Sequence, residues 1–458
     1  MSSSHRSGHA IVLGASIAGL LAARVLSEQY ANVTVVERDE LPAEAVPRRA
    51  VPQGEHGHGM LARGCMALEE LFDDFVAEVT ALGGIPIDIQ RDILWISDGR
   101  PLRNADSDLR GLCMSRPAIE GYLRDRVAAL PNVKIRAGHE AVGLLATSDQ
   151  TRVTGARVLS RGGVAERVEA DLVVDATGRG NRGPTWLAQL GYQKAPEEAV
   201  DAHMVYVTRE FRRTSGDAPY AAAVQSPWPG QPYGVVAIAV EGDRWQVTLL
   251  GCGRDITLPG DLDEFIAFTS RLPDPRVHQL VARAEPLGPP RRMRLPVSVR
   301  RRYERLTQLP QGLVSVGDSI CAFNPAYGQG MTVAAAEALA LRDCLVRGRE
   351  DLPRRFYARA ARLIDTPWQI AVGGDLRFDH VKGVRTRTTS FINAYLGRVL
   401  RAAETDPVVG RAFLRVANLM AAPPTLFAPS ILARVLRGSR DAVPATATPP
   451  QPVRQLAD

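Results

Sequence analysis

Residues 10–37 constrain this chain more than any other stretch. A short apolar run, Ala10-Ile-Val-Leu13, leads into Gly14-Ala-Ser-Ile-Ala-Gly19. Ile17, Leu20, Leu21 and Val25 then recur at helical spacing, and Val33-Thr-Val-Val36 runs up to Glu37. The pattern predicts a buried strand, a glycine turn, a helix and a second buried strand. A unit of about 30 residues in that order is the context in which a glycine motif holds a dinucleotide. Gly14 permits the tight turn. A small residue at position 16 lets the backbone approach a diphosphate, and Gly19 lets the helix lie close on the strand. The helix N-terminus, at Ile17 and Ala18, faces the anion. Ser16 stands where a glycine is usual, but it is small and keeps its N–H. Glu37 is placed to accept hydrogen bonds from ribose hydroxyls.

A second glycine-rich signal lies far along the chain, Gly317-Asp318-Ser-Ile-Cys-Ala-Phe-Asn-Pro325-Ala-Tyr-Gly328-Gln-Gly330-Met331. It follows the apolar run Leu313-Val-Ser-Val316, so Asp318 stands at a strand end, placed to bind ribityl hydroxyls. Pro325, Gly328 and Gly330 let backbone come close to a flat ligand. A helix predicted from Gly330-Met331 would turn its positive end to a ring edge that gains negative charge on reduction. The two signals in this order describe one long cofactor held at both ends, FAD rather than NAD. Tyr327, Gly328, Gln329 and Gly330 are therefore the candidate catalytic positions, acting through backbone N–H groups, with Tyr327 either lining a substrate pocket or packing the loop. No second glycine fingerprint for a nicotinamide appears. NADPH or NADH would dock transiently, or a separate flavin reductase would supply electrons.

The composition, 45% hydrophobic and 23% charged, suits a globular protein with ample core. The formal charge of +6 is carried almost wholly by arginine, since Lys134, Lys194 and Lys382 are the lysines. The arginines are scattered, densest at Arg300-Arg301-Arg302, with no aromatic-interleaved stripe, which speaks against nucleic acid. Five cysteines without paired spacing predict neither a disulfide scaffold nor a dithiol centre, and suit a reducing cytoplasm. The first residues lack the apolar core of a signal peptide. No run of about 20 apolar residues predicts a membrane span. The helical stripe Phe391, Ile392, Tyr395, Leu396, Val399 and Leu400 reads as packing on the body, with a membrane surface as the alternative.

The expected architecture is α/β: a Rossmann-like FAD-binding domain from 8–80, 106–185 and 292–350, with an inserted antiparallel-sheet substrate domain from 81–105 and 186–291. A helical region follows over 351–440, then a Pro/Thr/Ala-rich tail, 441–458, expected to be disordered. Residues 93–102 read as a short hairpin, and Ser115-Arg116-Pro117 precedes a helix expected over Ala118–Leu130, with Pro117 near its first turn. His56 and His58 would share a face of an extended loop. Metal binding, hydrogen bonding beside a flavin and a loop role are all open to them, but no carboxylate or thiol nearby completes a metal set. Phe211, Trp245 and Cys321 read as core or pocket residues.

At these residues the chain resembles the FAD-dependent monooxygenases of the p-hydroxybenzoate hydroxylase fold. The motifs are Gly14–Gly19, Asp175-Ala-Thr177-Gly178, and Gly317-Asp318 with Pro325 to Met331. More narrowly it is similar to the polyether-pathway epoxidases, such as those of monensin and lasalocid. Val-Val-Glu37-Arg38-Asp39, Arg49-Ala-Val-Pro-Gln53 with His56, and Ser115-Arg116-Pro117 carry that likeness. The resemblance implies Arg49 and Arg116 near the FAD diphosphate and Ala141 beside the adenine. It implies Asp318 at the diphosphate–ribityl end, and Gly328 to Met331 at the isoalloxazine. The central segment departs from the hydroxylases' Gly-Ala-Asp-Gly, and Ala322 lies where a histidine is often found. The chemistry implied is oxygen captured from O2 as a flavin C4a-hydroperoxide and passed to a hydrophobic alkene, such as a polyene polyketide, by epoxidation or hydroxylation. Rivals on the same fold are a prenyl-chain-type alkene reductase and a flavin-dependent halogenase, whose Trp-x-Trp motif is absent. A non-catalytic flavin-binding protein is a further alternative.

Overall fold

A computed structural model describes residues 6–438, apart from 181 and 296. The tail expected over 441–458 lies outside the described residues. At the centre is a parallel sheet of five strands, in the order Leu313–Ser315, Leu172–Asp175, His9–Leu13, Asn32–Val36 and Val133–Arg136. Residues 10–13 are at most 1% exposed, as expected for a strand covered on both faces. Successive strands run to opposite sides of His9–Leu13, so the strand order reverses there. Ligands of open α/β sheets bind at such a switch point, beyond the C-terminal strand ends. Gly14, Ala176 and Gly317 all lie just past those ends.

The helices on this sheet follow from local chemistry. Ile17–Leu26 buries Leu20, Leu21, Val25 and Leu26 completely. Arg116–Ala128 starts at Ser115, whose hydroxyl accepts from the Ala118 N–H at 3.3 Å, with proline in the first turn. Gly330–Val346 packs against Ile17–Leu26 and against Leu352–Asp375. A three-stranded antiparallel sheet (His139–Ala146, Val153–Ser160, Ala165–Glu169) crosses over from the parallel one, and the His139 N–H donates to the Glu37 carbonyl at 2.8 Å.

A second, seven-stranded sheet holds Arg291–Arg294, Met204–Arg212, Arg244–Cys252, Tyr233–Val240, Ala222–Gln225, Ile93–Ser97 and Arg100–Pro101. Ile85–Asp88 does not join this sheet but pairs with Arg110–Cys113, and Arg291–Arg294, astride the boundary expected at 292, is its edge strand. The sheet texture expected through 186–291 also contains two helices, Leu262–Thr269 and Arg276–Val281. Asp261 caps the first, accepting from Asp263 and Glu264 N–H groups, a signal present in the sequence. Phe265 and Leu280 cover one sheet face, where Phe211 and Trp245 are core residues. The alternate residues Tyr206, Thr208 and Thr248 belong to the other face, toward His56.

Four helices fill 351–438: Leu352–Asp375, Arg387–Ala403, Pro407–Ala417 and Pro429–Gly438. Tyr395, Val399 and Leu400 bury against Ile93, Leu102 and Ile238, so most of the predicted stripe is packing. Its first turn is exposed, Phe391 by 63% and Ile392 by 47%. Among the described residues no helix is long and apolar enough to cross a membrane. The Arg300–Arg302 run is internal: Arg300 pairs with Asp365 (2.6 Å), Arg301 with Glu197 (3.0 Å) and Arg302 with Glu198 (2.8 Å). All five cysteines are free and buried.

Candidate cofactor site

Gly14 turns with φ of +110°, and a methyl group there would sit 2.4 Å from the Ala176 carbonyl oxygen. Only glycine takes that conformation freely in that space. Gly19 faces back onto the turn, where a Cβ would lie 1.9 Å from the Gly14 carbonyl oxygen. Helix and turn are in backbone contact, which aims the helix N-terminus at the crevice. Ile17 is buried and Ala18 half-buried.

The side chains around this turn form one ionic network. Glu37, 4% exposed, accepts from the Ala15 N–H (2.8 Å) and the Asp39 N–H (3.0 Å). The Ser16 hydroxyl donates to Glu120 (2.8 Å) and accepts from Arg116 (2.8 Å). Arg116 also pairs with Glu120 at 3.1 Å. Arg48 donates to the second Glu120 oxygen at 2.7 Å and lies 3.3 Å from Glu37 and 3.4 Å from Asp39. The buried arginine of this loop is therefore Arg48. Arg49, expected at the diphosphate, is exposed, as is Arg38, and neither forms an ion pair among the described residues. Gln53 is half-buried in the turn Pro52–Glu55, and Ala141 lies in the strand that starts at the Glu37 carbonyl. Sequence reasoning missed Arg48 and Glu120. Glu120 had a signal, one helical turn after Arg116.

The second signal reaches the same crevice. A Cβ at Gly317, φ +63°, would lie 2.6 Å from the Ala18 Cβ. The Gly317 N–H donates to Glu337 at 2.6 Å. Asp318, half-buried, pairs with Arg179 at 3.2 Å, and Arg179 also donates to the Phe323 carbonyl at 2.8 Å. The Gly178 N–H donates to the Ser319 hydroxyl at 2.9 Å. Asp175, expected to touch cofactor, is 0% exposed. Its carboxylate accepts from the Thr177 N–H and hydroxyl and from the Ser315 and Ser319 hydroxyls. It ties the strand ends together and does not face the crevice.

Asn324 caps the turn Pro325–Tyr327, accepting from the Ala326 N–H at 3.1 Å, and Gly328 ends that turn. Gly330 is exposed and opens the helix Gly330–Val346, and a Cβ there would meet nothing within 4 Å. Met331 is 8% exposed. Gln329 and Thr332 are each 1% exposed, yet Gln329 Oε1 and Thr332 Oγ1 have no partner among the described residues. Buried polar atoms without partners are rare in proteins. A helix mouth with open space and unspent polar atoms fits a flat, polar-edged ring. The turn at Gly14 and the helix behind it fit a diphosphate. The residues present therefore fit FAD.

His56 is 3% exposed, bonds Thr208 at 2.8 Å, and is pushed down to about 4 by burial. Burial and Arg116 push His58 to about 3, and its Nδ1 bonds the His56 carbonyl at 2.7 Å. Both imidazoles are neutral at neutral pH. Among the described residues no group of three His, Cys, Asp or Glu could hold a metal ion.

Glu337 is 0% exposed, and burial pushes it up to about 8, with the Gly317 N–H opposing and Asp318 adding. The folded state therefore holds this proton more tightly than the unfolded chain, and folding stability is lost as pH rises from about 4.5 to about 8. Glu337→Gln keeps an acceptor for Gly317 and removes the charge. Thermal melts from pH 5 to pH 9 should show a stability gain for the variant that grows with pH and levels off above about 8. The limiting difference is on the order of 5 kcal/mol. Parallel curves for the two proteins would refute this.

A parallel sheet with a glycine turn at its switch point, closed by a second glycine turn from residue 317, defines a dinucleotide-binding α/β protein of the flavoprotein class. The chain belongs to the FAD binding domain family, whose pattern matches residues 8–347. It is 35% identical over 433 residues to Protein Rv3254 of Mycobacterium tuberculosis, covering 90% of each chain. Solved structures share its fold, among them two flavoproteins. One is PqsL, a probable FAD-dependent monooxygenase from Pseudomonas aeruginosa (TM-score 0.60, 17% identity, 81% of this chain and 97% of that one). The other is the flavin-dependent brominase Bmp2 (TM-score 0.64, 14% identity, 94% of this chain and 99% of that one).

Proposed function

We propose that this protein is an FAD-dependent monooxygenase that transfers one oxygen atom to a hydrophobic, alkene-bearing small molecule, by epoxidation or hydroxylation. A polyketide intermediate of the kind oxidised by polyether-pathway epoxidases is the substrate class the sequence motifs favour. The observation that carries the flavin part of the reading is the close approach of Gly317 to Ala18, where a Cβ on Gly317 would lie 2.6 Å from the Ala18 Cβ; it supports a single FAD spanning both glycine turns. FAD, when bound, supplies the redox chemistry, taking two electrons from NADPH or NADH, directly or through a flavin reductase, and activating molecular oxygen. The balance is substrate, O2, NAD(P)H and a proton giving oxygenated substrate, water and NAD(P)+.

The chain's own residues bind, orient and exclude water. Gly14 to Gly19 with Arg116 would hold the diphosphate, and Asp318 the ribityl end. The N–H groups from Gly328 to Met331 would stabilise negative charge at the ring edge. Ala326 of the loop packs against an apolar cluster of Met204, Tyr206, Leu250 and Cys252, with Val236 and Val372 at its margin. No side-chain acid–base dyad is required.

The test is anaerobic reduction of the flavin-loaded protein with NADPH or NADH, followed by pulses of labelled O2 with candidate polyenes and mass analysis. One labelled oxygen per product molecule is expected. Products that gain hydrogen without oxygen uptake would replace this reading with an alkene reductase.

A further inference from the structure

The helix Leu352–Asp375 ends against the ring-side loop, and its last residue is a buried carboxyl. Asp375 is 2% exposed. Its Oδ1 accepts from Asn324 Nδ2 at 2.9 Å and from the Tyr327 hydroxyl at 3.0 Å. Its Oδ2 has no partner among the described residues. Asn324 Oδ1 accepts in turn from the Tyr206 hydroxyl at 3.1 Å. Tyr206 belongs to the seven-stranded sheet, its ring 6.0 Å from that of His56. One carboxyl thus ties the C-terminal helix to the loop and, through Asn324, to the sheet. Gly374 allows the fit, since a Cβ there would lie 2.1 Å from the Tyr327 hydroxyl oxygen.

Such a carboxyl is a poor choice for stability. Burying it is costly unless every lone pair is used, and an apolar side chain would serve packing better. We propose that Asp375 is a positioning residue for the flavin site: through Tyr327 and Asn324 it holds the loop 324–330 in the shape that receives the ring, and it does so more firmly when protonated. The proposal rests on reading that loop as the ring side of the site.

Burial pushes Asp375 up to about 6, while the bonds from Asn324 and Tyr327 pull it down. The groups that face it do not titrate in its place. Burial raises the Tyr206 and Tyr327 phenols far above neutrality and the Cys252 thiol to about 12. His56 stays neutral. Arg377 is paired with Asp98 at 2.6 Å and Arg179 with Asp318 at 3.2 Å. His380 lies 3.8 Å from Cys252, and the Asn variant separates the contribution of that side of the molecule. The net effect on Asp375 is upward, so the buried arrangement holds this proton more tightly than a released, solvated loop would. Hold on the loop therefore falls as pH rises through about 6.

The experiment measures FAD dissociation constants by flavin fluorescence from pH 5 to pH 8 for the full-length protein, Asp375→Asn and Tyr327→Phe. The unaltered protein should bind FAD roughly fivefold more tightly at the lower end than at the upper. Asp375→Asn keeps the Oδ1 acceptor and should lose that dependence. Tyr327→Phe should weaken binding and flatten the profile, and it carries the test if the Asn variant does not fold. A pH dependence unchanged in the variant that folds overturns the role of Asp375 and leaves the flavin reading intact. Unaltered protein that takes up no FAD at any pH overturns the flavin reading itself.

Discussion

Gly19→Ala is expected to cost the protein both stability and FAD, against the usual sign of the substitution. In an exposed helix interior, alanine is favoured over glycine by about 1 kcal/mol. At Gly19 the added methyl group would lie 1.9 Å from the Gly14 carbonyl oxygen, 2.9 Å from its carbon and 3.3 Å from the Ala176 Cβ. The first two are backbone atoms and cannot rotate away. The helix Ile17–Leu26 must lift off the turn, and Leu20 and Leu21, both 0% exposed, must lift with it. Overpacking of this kind costs about 1–3 kcal/mol in ordinary cores, and a clash with backbone belongs at the upper end. Because the turn and the helix N-terminus form the diphosphate cradle, FAD affinity should fall at least about tenfold, the factor for about 1.4 kcal/mol. Gly397→Ala is the control. It lies within Arg387–Ala403, where a Cβ would meet nothing within 4 Å, and it should raise the melting temperature. A Gly19→Ala protein as stable as the parent, with its flavin retained, would refute the packing argument.

Arg48→Met should be nearly as damaging, for an electrostatic reason. The Arg48 side chain is 3% exposed, between Glu120 at 6% and Glu37 at 5%. Methionine roughly keeps the volume but leaves two buried carboxylates with less compensation. Removing one partner from a buried ion pair costs about 3–5 kcal/mol. Denaturant melts should show a loss of that size, and Glu120→Gln in the same chain should recover part of it. A double-mutant cycle should give a coupling of about 1–3 kcal/mol. Arg49→Ala, at the exposed neighbour, should change stability by no more than about 0.5 kcal/mol. Equal losses at positions 48 and 49 would show that the structure's choice between them is wrong.

The adjacent arginines illustrate what could be read from the chain and what could not. Spacing alone determined the strand, turn, helix and strand over 9–36, the helix beside Pro117 and the helix opening at Gly330. In each the decisive bonds run between residues a few positions apart, so the order of residue types encodes them. The same holds for the glycines: a positive φ or a missing Cβ is a property of one position, and Gly14, Gly19 and Gly328 were legible for that reason. The partners of charged groups were not. Glu120 meets Arg48 across 72 positions, and Tyr327 meets Asp375 across 48. A carboxylate at a strand end looks the same whether it faces a ligand or, like Asp175, is spent on neighbouring hydroxyls. Glu337, one of two acids in the helix Gly330–Val346, carried no signal of its own. Whether such a group is charged, paired or free depends on how much water the whole fold removes from it, and tertiary structure alone decides that.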